Sequence, residues 1–130
     1  MLARVERDLG TASGGLARVD AALGATFATF EEHRSLARIL LVEAPALGRG
    51  ADARLFEVHR RFAEFIARRL DEARRDGSIA EIDTELAAYA WLGAVQQIVV
   101  RWLHTGRPEP LRAAVPELRA LLLRSVGATV

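Results

Sequence analysis

Cysteine is absent from these 130 residues, and so is lysine. Without cysteine there is no disulfide, no thiolate metal site and no cysteine nucleophile. All 18 basic side chains are arginine, a bias of composition that carries no functional weight. Acids number 17, leaving a formal charge of +1, so the broad basic field that attracts nucleic acid is missing. No uncharged apolar run approaches the roughly 18 residues of a membrane span. The opening Met1-Leu2-Ala3-Arg4-Val5-Glu6-Arg7-Asp8 sets acids where a secretory leader needs an apolar segment. Strand signals are equally scarce: Ile98-Val99-Val100 is the one β-branched run, and it lies inside a helical period. The expectation is one cytoplasmic domain with no membrane contact.

What is present is apolar and helical. At 51% hydrophobic and 27% charged, the chain has the composition of a globular domain with one core. Met1 to Leu9 reads as the end of a helix, with Leu2, Val5 and Leu9 on one side, and Gly10 to Gly15 breaks it. A second helix, about Leu16 to Glu32, carries Leu16, Val19, Leu23, Phe27 and Phe30 at steps of three and four. Its interior Gly24 marks a close helix approach or a ligand contact. A third helix, Arg34 to Glu43, places Leu36, Ile39 and Leu40 inward and stops at Pro45. Asp52 is the expected N-cap of a long fourth helix with a stripe of Leu55, His59, Phe62, Ile66, Leu70 and Ala73, flanked by Val58 and Phe65. Glu57–Arg61, Glu64–Arg68 and Asp71–Arg75 are acid-before-base pairs on its exposed face, and Gly77 ends it. Asp83 caps a fifth helix that Gly106 terminates. Pro108 and Pro110 lead into a sixth, with Leu111, Val115, Leu118, Leu122 and Val126 as its stripe and a kink or short first segment at Pro116. The fold class is all-α, an antiparallel bundle of about six helices with no internal repeat.

The fifth helix, Asp83 to Gly106, is the most informative segment. At about 100° per residue, Trp91, Val95, Ile98 and Trp102 form one stripe, while Tyr89, Gly93 and Val100 lie roughly opposite. A helix with one buried face needs one apolar stripe, so this one requires burial on two sides. A chain this short has few layers to supply the second, and another copy of itself is the expected source.

Three stretches carry a family resemblance. They are Glu31 to Ala44, then Arg75-Asp76-Gly77-Ser78-Ile79 followed by Asp83, and Leu92-Gly93-Ala94-Val95 leading to Arg101-Trp102-Leu103-His104-Thr105-Gly106-Arg107-Pro108. From about Leu16 to Gly127 the sequence resembles the C-terminal effector-binding and dimerisation domain of tetracycline-repressor-like (TetR family) transcription regulators. It departs from them in one respect. Members begin with a three-helix DNA-binding head, which this sequence lacks, and Met1 to Leu9 looks like the tail of the helix that joins head to body. The resemblance implies DNA binding only for an intact regulator. The Trp-Leu-x-x-Gly-Arg-Pro ending is similar to members that respond to fatty acyl-CoA thioesters, and it also occurs in regulators of efflux pumps.

The resemblance implies a homodimer in which the last two helices of each subunit form a four-helix bundle about a two-fold axis. The expected seam is Gly93, Gln96, Gln97, Val100 and His104, with Leu118, Leu121, Leu122 and Ser125, because an isologous contact needs a self-complementary patch. The expected pocket for a small apolar or amphipathic effector lies between the second, fourth and fifth helices. Phe27, Phe30, Phe62, Phe65, Ile66, Trp91 and Val95 are its apolar candidates; His59, Tyr89 and Gln96 are its polar ones. Packed core is the competing reading for each aromatic.

Other chemistries find no support in the pattern. His33, His59 and His104 lie on three elements without metal-ligand spacing, so no metal is expected. The serines include no Gly-x-Ser-x-Gly elbow, and Gly10, Gly14 and Gly15 are not followed by the Gly-Lys-Ser/Thr of a phosphate loop. Neither catalysis nor a cofactor is expected. Arg60-Arg61, Arg68-Arg69 and Arg74-Arg75 are interleaved with acids and form a salt-bridged face. A helical adaptor for another protein and a small helical-bundle enzyme stay open as rival readings.

Overall fold

The computed structural model describes residues 15–47 and 49–128. The expected first helix, Met1 to Leu9, lies outside them. Among the described residues there is no strand. The described residues form five α-helices: α1 (Gly15–Glu32), α2 (Arg34–Arg38), α3 (Arg49–Arg75), α4 (Thr84–Thr105) and α5 (Val115–Ser125). A π-helical turn (Ile39–Glu43) and a 3-10 turn (Ala44–Leu47) continue α2, and a 3-10 turn (Leu111–Ala114) precedes α5.

The long α3 packs between α1 and α4, and α1 carries α5 and its leading turn on another side. The core takes Val19, Leu23, Phe27 and Phe30 from the α1 stripe, Leu70 and Ala73 from the α3 stripe, and Trp91 and Trp102 from the α4 stripe. Helix α4 adds Val99 and Leu103, which lie off the stripe read above, while Val95 and Ile98 are only partly buried against the core. Phe27, Leu70, Leu103, Leu111, Val99 and Val126 are its largest fully enclosed side chains.

Most helix ends follow the signals in the sequence. The carboxylate of Asp83 accepts from the Leu86 N–H (3.1 Å), capping α4. Gly106 closes α4 at φ +73°, with its N–H donating to the Trp102 carbonyl at 2.8 Å. Gly77 takes φ +82° after α3, and the Ser78 N–H reaches back to the Ala73 carbonyl at 2.9 Å. The Ser78 backbone and hydroxyl both donate to Asp76, which holds that exposed carboxyl below its usual range. Pro116 sits in the first turn of α5, after the separate 3-10 turn, as its position required.

Three expectations need correction. The helix α3 begins at Arg49, so Asp52 lies inside its first turn instead of capping it. In α2 and the π-turn, Leu36 and Ile39 are exposed, and Ala37 is the buried residue. The reason is the pair Arg34 and Arg38. Both donate to the Leu103 carbonyl (3.4 and 2.9 Å), and the Arg34 guanidinium lies 4.7 Å from the Trp102 ring centre. That places the Arg34–Ala37–Arg38–Leu41 face against α4 and turns Leu36 and Ile39 outward. Finally, Gly24 has open space around it, and the close helix approach falls at Gly15. A Cβ there would stand 2.3 Å from the Arg69 carbonyl oxygen of α3.

On the charged face of α3, Glu57 pairs with Arg61 at 3.7 Å as expected, but the shorter contacts join Arg60 to both Glu57 and Glu64. Arg74 pairs with Asp71 at 3.6 Å. All are exposed enough to contribute little to stability.

Candidate functional site

Where α1, α3 and α4 converge, their apolar stripes do not close completely. An inner cleft of about 50 Å³ lies beneath the π-turn, walled by Phe30, Leu40, Leu41, Leu55 and Phe62. A second cleft of about 70 Å³ lies deeper, walled by Val19, Leu23, Phe65, Ile66 and Trp91, with Leu122 from α5. Thr26, Phe62, Leu92 and Val95 line both. Four side chains therefore partition a single apolar seam.

The seam also has an outer neighbour. An open groove of about 480 Å³ is lined by Leu40, Ala44, Gly50, Arg54, Leu55 and Val58. Leu40, Leu55 and Val58 line the inner cleft as well, so they form the wall between groove and seam. Along α3 the order from outside inward is Arg54, then Leu55 and Val58, then His59, then Phe62 and Ile66. Arg54 is exposed at the mouth.

Polar groups within the inner cleft are Thr26, His59 and Gln96. The Gln96 side-chain nitrogen donates to His59 Nε2 at 2.6 Å, which leaves the imidazole proton on Nδ1. Burial pushes the His59 pKa down, because an apolar surrounding penalises the imidazolium. A neutral ring that accepts from an amide is the resulting state at neutral pH. Deeper in, the Trp91 indole N–H donates to Ser125 Oγ at 3.0 Å, and that hydroxyl donates to the Leu122 carbonyl at 2.5 Å. This chain of bonds ties α4 to α5 at the floor of the seam.

Of the residues expected to line a pocket, Phe30, His59, Phe62, Phe65, Ile66, Trp91 and Val95 do line the seam. Phe27 is enclosed in the core, and Tyr89 is 40% exposed beside a separate polar groove with Arg60, Arg68 and Glu85. Gln96, placed by the sequence with the dimer seam as well, faces the cleft. Sequence reasoning missed Thr26, Leu40, Leu41, Leu55, Val58 and Leu92 as lining. The α3 stripe contained Leu55 and Val58, but no local signal said that the π-turn would fold Leu40 and Leu41 over them.

The expected seam residues also divide. Leu118 and Leu122 are buried within the chain, and Ser125 is engaged with Trp91. Gly93 faces open space, Gln97 and His104 are exposed, Val100 is half-buried, and Leu121 is 57% exposed. Leu86, Ala90, Gly93, Gln97, Val100 and His104 follow steps of four and three along one outward stripe of α4, and Leu86 is 68% exposed. Among the described residues no three metal-binding side chains cluster, and no helix is long and apolar enough to cross a membrane.

Fold and site together define an all-helical domain built round an apolar interhelical cleft, closed at one end by a π-helical turn. Residues 12–126 match the family described as "Tetracyclin repressor-like, C-terminal domain", and the chain belongs to that family of transcription regulators. Among solved structures, the fatty acid degradation regulator FadR from Bacillus halodurans superposes with a TM-score of 0.87 at 19% identity, over 98% of this chain and 67% of that one. The transcriptional regulator FadR from Bacillus subtilis, in complex with stearoyl-CoA, gives 0.84 at 19% identity, over 93% of this chain and 66% of that one. At such identity the likeness is one of fold, and the chain spans about two thirds of the length of each. No curated protein matches the sequence significantly.

Proposed function

We propose that this chain is the effector-binding and dimerisation domain of a TetR-like regulator, and that its effector is an amphipathic molecule with a linear apolar chain, a fatty acyl-CoA being the best fit. The observation that carries this reading is the partitioned apolar seam leading inward from a groove with an arginine at its mouth. A linear chain matches a row of small clefts better than a compact ring system does, and Arg54 suits an anionic head left outside. The stearoyl-CoA complex of the Bacillus subtilis regulator supports the same ligand class.

The cleft volumes give the mechanism its direction. Drug-sized ligands occupy roughly 300–1,000 Å³, far above either cleft, so a guest must part α3 from α1 and α4 and turn Phe62 and Leu92 aside. Binding then favours a wider arrangement of the bundle. In an intact dimeric regulator that shift would change the spacing of the DNA-binding heads and release the operator. The ligand can move the balance only by its difference in affinity for the two arrangements.

Thermal unfolding with added palmitoyl-CoA, decanoyl-CoA and unacylated CoA tests the reading. The acylated forms should raise the midpoint by several degrees, corresponding to about 2–3 kcal/mol at ligand near a hundred times Kd, and CoA alone should not. No shift with either acyl chain length would remove the assignment.

A further inference from the structure

Resting on the acyl-chain reading above, the remaining question is what the seam recognises besides apolar surface. Its walls are aliphatic and aromatic apart from Thr26, His59 and Gln96, and no charged side chain lines the inner cleft. Gln96 and His59 are both half-buried there, on facing helices, joined at 2.6 Å. A primary amide has two N–H donors and a carbonyl acceptor. His59 takes one donor, and Gln96 makes no other hydrogen bond among those described. A purely apolar guest would leave the second donor buried and unmatched, at a penalty comparable to a lost hydrogen bond.

We propose that Gln96 is the specificity-determining residue of the cleft: its second amide N–H donates to the carbonyl oxygen of an acyl guest, and His59, a positioning residue, holds the amide plane in place. The guest's carbonyl then lies just inside the Leu40–Leu55–Val58 wall, with its head group toward Arg54 and its chain running past Phe62 toward Trp91. The chemistry selects a neutral acyl carbonyl, a thioester, ester or amide. An ionised carboxylate at this position would surrender its hydration in an inner lining that offers no cation, so a free fatty acid does not gain this contact.

Calorimetric titration with decanoyl-CoA and with S-decyl-CoA, the thioether in which a methylene replaces the carbonyl, isolates this contact. The unmodified chain should bind the thioester about tenfold more tightly, the worth of one hydrogen bond. Gln96→Leu should lose the preference and bind the thioether more tightly than the unmodified chain does, because no amide donor is left unmatched; Gln96→Met serves where the leucine variant does not fold. His59→Phe should shrink the preference as well. Because the two ligands share one shape, a merely structural role for His59 would weaken both alike and leave the ratio intact, which would overturn its part. Equal binding of both ligands by the unmodified chain overturns the assignment of Gln96 while leaving the acyl-chain reading in place, and binding of neither removes both.

Discussion

His59 shows how one side chain couples the cleft to the stability of the domain. Burial lowers its pKa, so the unfolded chain binds a proton more readily than the folded one. Stability from this site is therefore complete above the ordinary histidine range and declines as pH falls through it toward the lowered folded value. Between about pH 7.5 and about pH 5.5, the thermal midpoint of the unmodified chain should drop further than that of His59→Phe; parallel curves would mean that His59 contributes nothing to the pH dependence. The sequence made His59 visible as the polar member of an apolar stripe. It did not reveal Gln96 as its partner alone, because a wheel projection of α4 places that residue on the border between the cleft and the outward face. Phe27 and Tyr89 show the opposite limit. Both sit at helical spacing consistent with a pocket, yet one is enclosed in the core and the other faces a polar groove, since periodicity gives a face and not a depth.

Among the elements, the helices and most of their ends were legible because each end carries its own local chemistry: Asp83 before α4, Gly77 and Gly106 after α3 and α4, Pro116 in the first turn of α5. What was not legible depends on contacts distant in sequence. The rotation of α2 is set by Arg34 and Arg38 reaching the Leu103 carbonyl, and nothing within Arg34 to Glu43 announces that partner. Gly24 was expected to mark a close helix approach or a ligand contact, and the close approach of α1 to α3 occurs instead at Gly15. These two glycines give substitutions of opposite sign. Gly15→Ala would push a methyl into the Arg69 backbone carbonyl, and should destabilise the domain by about 1–3 kcal/mol through forced displacement of the helices. Gly24→Ala meets no neighbour and should stabilise it by about 0.5–1 kcal/mol through helix propensity. Denaturant midpoints of the two variants check both signs, and the same sign for both would contradict the placement of the crossing.

For the whole molecule, the decisive feature is that apolar surface remains on the outward stripe of α4 and on α5 after the chain has packed its own core. Leu86 and Leu121 are 68% and 57% exposed, and Gly93 lies open on the same stripe. A second copy related by a two-fold axis would cover this face with the same residues from its partner, so Leu121→Arg is expected to yield a folded monomer by light scattering. An unchanged molar mass would move the interface elsewhere. The seam and the outward stripe occupy different sides of α4. Native mass spectrometry of the chain with decanoyl-CoA reads both at once. Two chains carrying one thioester each is the result expected here, and a monomer that retains no thioester would contradict it.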